Sequence, residues 1–272
     1  SIRNTVAKLG VDHYYYIPVW ENHRKFYKAT IQKLGDPCIA CGLGGYFLAI
    51  KVCYEKKIPF FVHGRTPFQM YRNFYENSND IFLALMKCNL VEHSFATLSS
   101  VYRMVNENMK QSISKIADSP QDATAITNEF FIDSSKLTEE FVPEFLAYFL
   151  FEEYDEEKIK KYLVDTLNWR RPARDNLLGH YDCAIHDAAG YMFKELNDVN
   201  VLEPDVAVMV RFGAIDKETA DELIRINEPT LNDTEKSLDT VCALCDFNRE
   251  DLKKTIIAIK QAQVSKKSEY GR

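Results

Sequence analysis

Apolar residues recur at helical spacing along much of this chain, and the breaks in that spacing divide it. Ile2, Val6 and Leu9 share one helical face and Gly10 ends it, so the chain opens inside a helix. Residues 11–17 come next with Val11, three consecutive tyrosines and Ile17, which predicts a strand. Residues 21–33 form a polar, basic run predicted as helix, and Gly35-Asp36-Pro37 breaks it. A helix over residues 43–57 turns Phe47, Ile50 and Tyr54 inward. The short apolar run 58–62 then predicts a strand buried on both faces. The helix at Ile2 needs a surface to cover, which predicts a further strand upstream of Ser1.

Alternating helix and strand predicts an α/β fold, a parallel sheet with helices on both faces, as a nucleotide-binding domain over residues 1–135 that is N-terminally incomplete. Within it, residues 67–135 are mainly helical, with the clearest loop at residues 119–122. Residues 136–272 are predicted as a mainly helical C-terminal region that contributes to the active site. In the aromatic stretch 141–151, Pro143 confines any strand to the residues after it. Residues 155–167 form an amphipathic helix with an acidic first turn. Asp216 and Asn248 precede helices over residues 217–226 and 249–259, and the polar tail from residue 264 is expected to fray.

Composition narrows the function classes. A formal charge of −6 argues against a general nucleic-acid binder. No apolar run has the length of a membrane span, so no membrane partner is expected. Seven cysteines, an odd number without a secretory signal, point to a reducing, cytoplasmic setting and to metal or thiol chemistry.

Two Cys-x-x-Cys pairs carry that chemistry. Cys242 and Cys245 share the stripe of Leu238 and Val241 and are predicted as core. Cys38 and Cys41, bracketed by Pro37 and Gly42, are placed on a turn at a helix start, where amides and dipole favour thiolates. Two completions are open. Four sulfurs, from Cys38, Cys41, Cys242 and Cys245, would suit zinc. Three, from Cys38, Cys41 and Cys183, would suit an iron–sulfur cluster with one open iron, because the polar loop 175–183 gives Cys183 no core role. Cys53 and Cys88, in apolar helical surroundings, are predicted as core.

Other candidates surround these. Gly42-Leu43-Gly44-Gly45 does not match a phosphate-loop motif; its glycines suit a close backbone approach to a cluster or to the sheet. His63, Gly64 and Arg65 end the strand at residues 58–62, where open α/β sheets bind ligands. Gly64 admits a nucleotide and Arg65 can take a phosphate, or Gly64 only turns the chain and Arg65 is solvated. Arg170, Arg171 and Arg174 form a basic knot that either meets an anion or is a solvated run. His180 and His186 flank Cys183, and either is an acid–base candidate or simply makes a hydrogen bond.

The order of pieces resembles a known family. A Lys-Leu-Gly-Val-Asp-His-Tyr run (residues 8–14) leads to the Cys-x-x-Cys helix and a strand ending in His63-Gly64. Tyr154-Asp155-Glu156-Glu157 and Leu167-Asn168-Trp169-Arg170 come next. After them stand Asp182-Cys183 and Arg211-Phe212-Gly213-Ala214-Ile215-Asp216-Lys217-Glu218-Thr219-Ala220. Together these resemble the PP-loop ATP pyrophosphatase superfamily, in particular its N-acetyl sugar amidotransferase-like branch. They are also similar to the Cys-x-x-Cys…Cys sulfurtransferases that thiolate tRNA. The family's Ser-Gly-Gly-x-Asp-Ser loop is absent from these 272 residues, and the expectation is that it lies upstream of Ser1.

The resemblance implies that ATP, with Mg2+, adenylates a carbonyl or amide oxygen and that sulfur or nitrogen then displaces AMP. It implies a [4Fe-4S] cluster on Cys38, Cys41 and Cys183, with Cys183, Asp182 and His180 as catalytic candidates and Gly42, His63, Gly64 and Arg65 as cofactor-binding ones. The expected partners are a small-molecule or sugar-nucleotide substrate, with tRNA as the alternative, and a sulfur or ammonia donor protein; a homo-oligomer is allowed. The rivals are a zinc-stapled interaction subunit without catalysis and an amidotransferase that needs no metal.

Overall fold

The structure is a computed structural model that describes residues 2–66, 95–137, 141–170 and 183–270. Helix α1 (Ile2–Leu9) ends at Gly10, and α2 (Trp20–Leu34) ends at Gly35; both glycines adopt the left-handed conformation that closes a helix. Helix α3 (Cys38–Lys56) starts after a short break, and β1 (Phe60–His63) comes after it. Then come α4 (Phe95–Ile116), α5 (Pro120–Phe130), β2 (Glu144–Ala147) and α6 (Glu156–Leu167). The last part runs α7 (His186–Asn197), α8 (Glu203–Arg211), α9 (Lys217–Asn227), α10 (Leu231–Cys245) and α11 (Arg249–Tyr270).

The expected α/β sheet with helices on both faces is not there. Among the described residues the strands are β1 and β2, paired in parallel with Phe60 opposite Glu144 and Val62 opposite Leu146; the rest of the regular structure is helical. Residues 11–17, predicted as a strand, form no ladder. The Tyr16 hydroxyl and the Val19 N–H both donate to the Glu129 carboxylate, so side-chain bonds to α5 hold this stretch where a neighbouring strand was expected. A β-like pattern describes a surface that can pair, and pairing needs a partner. Nor is β1 buried on both faces: Phe60 and Val62 are exposed, while Phe61 and His63 turn toward Tyr46 of α3.

Two smaller expectations are corrected by local bonding. Residues 120–122 are not loop but the first turn of α5, because Ser119 accepts the Asp122 N–H and Pro120 sits where its missing N–H costs nothing. The tail from residue 264 continues α11 as far as Tyr270.

Two hydrophobic cores share α2. In the first, Phe26 packs with Ala40, Phe47 and Ile50 of α3, Tyr102, Val105 and Ile113 of α4, and Ile126 and Phe130 of α5. In the second, Ile31 packs with Met192 and Leu196 of α7, Leu238, Val241 and Cys245 of α10, and Leu252 and Ile256 of α11. Tyr27, between Phe26 and Ile31, packs against both. Helix α3 is long and apolar enough to cross a membrane by composition, and it places Phe47, Ile50 and Cys53 among the buried residues. Gly44 lets it close on α5, since a Cβ there would stand 3.3 Å from the Phe130 ring.

Candidate functional site

The seam between the two cores is where the predicted cysteines meet. Helix α3 has no side-chain cap at Pro37; instead Asp36 Oδ1 accepts the Cys38 N–H at 2.7 Å, an Asx turn that starts the helix. Cys38 and Cys41 are one turn apart on α3, and both are exposed. Above them on α2, the Tyr27 hydroxyl bonds the Cys41 thiol and donates its proton. Cys183, exposed at the lead into α7, comes to the same place: it is among the groups that raise both Cys38 and Tyr27. Residues 38, 41 and 183 therefore converge on Tyr27, although the third lies far along the chain from the first two.

The electrostatics differ from the sequence expectation. Burial pushes the Cys38 thiol up to about 12, with further upward pushes from Asp36, Cys183 and Cys41 in that order. Its surface is open to solvent, yet the protein around it desolvates it enough to make that the leading cause. The helix start was expected to favour a thiolate; desolvation and the Asp36 carboxylate, with the two other thiols beside it, outweigh it. Tyr27 is likewise raised, first by burial and then by Cys41. A thiol beside a carboxylate and other thiols is harder to ionise alone, and a bound cation offsets that cost.

Among the described residues, no three His, Cys, Asp or Glu side chains stand close enough to hold a single metal ion. The four sulfurs expected for zinc are accordingly not gathered in this structure. Cys242 and Cys245 are buried in the second core, and Cys245 faces Lys28 and Arg24 of α2. The donor chemistry of Cys38, Cys41 and Cys183 suits an iron–sulfur cluster, whose ligating sulfurs stand farther apart than those on one ion.

The second predicted cluster folds inward. His63 is buried, and its Nδ1 accepts the Arg65 N–H at 3.1 Å, which leaves its proton on Nε2 to donate to the Tyr46 hydroxyl at 2.7 Å. Burial, helped by Arg65, lowers His63 to about 4. Arg65 Nε donates to the same hydroxyl at 3.3 Å and its guanidinium lies over the Tyr46 ring. Gly64 is exposed with open space around it, and Gly42 is half-buried with no neighbour that a Cβ would meet. His63 thus supports Tyr46 on α3.

His186 begins α7 and lines a cavity with Asp187, Lys194 and Asn227. Arg170 is exposed, while His180, Asp182, Arg171, Arg174 and Cys88 lie outside the described residues. Tyr27, Asp36 and Tyr46 are site residues that no motif in the sequence marks as such. Only Asp36 left a signal, an Asx residue two positions before a helix start. No family model, curated protein or solved structure matches this chain.

Proposed function

We propose that Cys38, Cys41 and Cys183 are the thiol ligands of an iron–sulfur cluster in an ATP-dependent sulfur- or nitrogen-transferring enzyme, the class that the order of motifs resembles. One observation carries this reading: Cys183, remote in sequence, lies near enough to the Cys38–Cys41 turn to be among the groups that raise both Cys38 and Tyr27. A cluster would bind the three sulfurs as thiolates and offset the repulsion among them, and the turn and Tyr27 would orient two of the ligands. When bound, such a cluster supplies an iron able to carry sulfide. The adenylating half, with ATP and Mg2+, is supported by the resemblance alone. A chain charge of −6 favours a small molecule or sugar nucleotide over tRNA as acceptor.

Anaerobic reconstitution with iron and sulfide tests the reading. The expected outcome is a brown protein with thiolate-to-iron absorbance, lost in Cys38→Ala, Cys41→Ala and Cys183→Ala and kept in Cys242→Ala. A cluster that forms in Cys183→Ala overturns the ligand set. Pyrophosphate release from ATP, assayed with candidate acceptors, tests the adenylating half separately.

A further inference from the structure

Helix α7 begins without a cap of its own: Ile185 occupies the N-cap position and offers no side-chain acceptor. The acceptor comes from another helix. Ser237 of α10 is buried in the second core, and its hydroxyl accepts the Ala188 N–H at 3.0 Å, the bond a local cap would make. The same hydroxyl donates to the Ala184 carbonyl at 3.0 Å. Cys183 is bonded to Ala184, and its own carbonyl accepts the His186 N–H at 3.3 Å. One buried hydroxyl therefore ties down the peptide next to Cys183 and the first turn after it.

We propose that Ser237 is the positioning residue of the three-thiol site, setting Cys183 in register with Cys38 and Cys41; this rests on the reading of those cysteines as one ligand set. The side chain touches no sulfur. It acts through the backbone at Ala184 and Ala188, so the second core governs where the third thiol stands. Cys38 and Cys41 are set independently by Asp36, and changes at Ser237 leave them in place.

Cluster assembly and a two-thiol probe separate these effects on the reduced full-length protein. Anaerobic reconstitution with limiting iron and sulfide reports the whole triad, whereas phenylarsine oxide binds two thiolates and reports Cys38 with Cys41. Ser237→Ala is expected to lower the iron and sulfide retained about five-fold or more, the worth of one helix cap, with phenylarsine oxide binding unchanged. Ser237→Thr keeps the hydroxyl and should retain iron and sulfide like wild type, while its isostere Ser237→Val should retain as little as Ser237→Ala. That shape-matched pair decides the matter should the alanine variant fail to fold. Leu238→Ala, buried on the same helix without a bond to this turn, lowers Tm but should leave cluster assembly at the wild-type level. Equal assembly in Ser237→Thr and Ser237→Val, or an equal loss in Leu238→Ala, overturns the positioning role. If Cys183→Ala assembles the cluster at the wild-type level, the three-thiol reading itself falls, and the positioning role with it.

Discussion

The chain carries the same four-residue motif at two helix ends, and the two copies do different work. Cys38 and Cys41 open α3, exposed at the seam between the cores. Cys242 and Cys245 close α10, buried beside Leu238 and Val241. The spacing is one helical turn in both, so spacing alone says only that the two sulfurs share a face. Burial raises Cys245 to about 11 and Cys38 to about 12, and the next causes have opposite signs. Cys245 faces the cations Lys28 and Arg24, whereas Cys38 faces Asp36, Cys183 and Cys41. A carboxylate and two further thiols beside Cys38 would be relieved by a bound cation, while Cys245 already has two cations near it.

The largest expected difference comes from putting the same charge into each pair. Cys245→Asp forces a carboxylate into the second core and should cost about 3 kcal/mol or more of unfolding free energy. Cys41→Asp changes an exposed position and should stay within about 0.5 kcal/mol of wild type. Denaturant titration of the two variants measures both. Similar losses would mean that the pairs are not the opposites their burial describes.

Thiol labelling is expected to draw the same line more gently. In the native, reduced protein, iodoacetamide should modify Cys41 and Cys183 at least about a hundred-fold faster than Cys53, Cys242 and Cys245, whose reaction needs local opening. Peptide mass mapping over time assigns each site. Rapid labelling of Cys242 would place α10 outside a packed core and remove one side of the comparison.

The difference between the pairs was legible in the residues, because Leu238, Val241, Cys242 and Cys245 trace a core stripe and Pro37 with Gly42 brackets the other pair. Helix positions were legible too: α6 from its amphipathic stripe and acidic first turn, α9 and the first three turns of α11 from the residues that cap them, and α2 from a polar run closed at Gly35. What misled was β-like composition without a partner. Residues 11–17 and 58–62 looked like two strands of a larger sheet, yet the first is held by Glu129 and the second pairs only with β2 among the described residues. Pairing is decided between distant segments and leaves little trace in either. The same holds for the site. Tyr27 lies in an ordinary helix and matters because α2 is shared by two cores, and Ser237 matters through a backbone 49 residues away.

The finest test concerns the field around Cys38. A thiol raised from its usual 9 to about 12 favours the folded state while it is protonated. Its contribution is full below pH 9 and is lost as the pH climbs toward 12. In the native protein, alkylation of Cys38 should therefore still be rising in proportion to hydroxide at about pH 10, with no plateau. Asp36→Asn removes the largest charge responsible, and its amide oxygen can still accept the Cys38 N–H and keep the turn. Cys38 in that variant should alkylate several-fold faster at about pH 8, with Cys245 unchanged as an internal control. An unchanged or slower Cys38 would show that desolvation alone sets this thiol. The Asp36 charge that distinguishes the exposed pair from the buried one would then carry no weight.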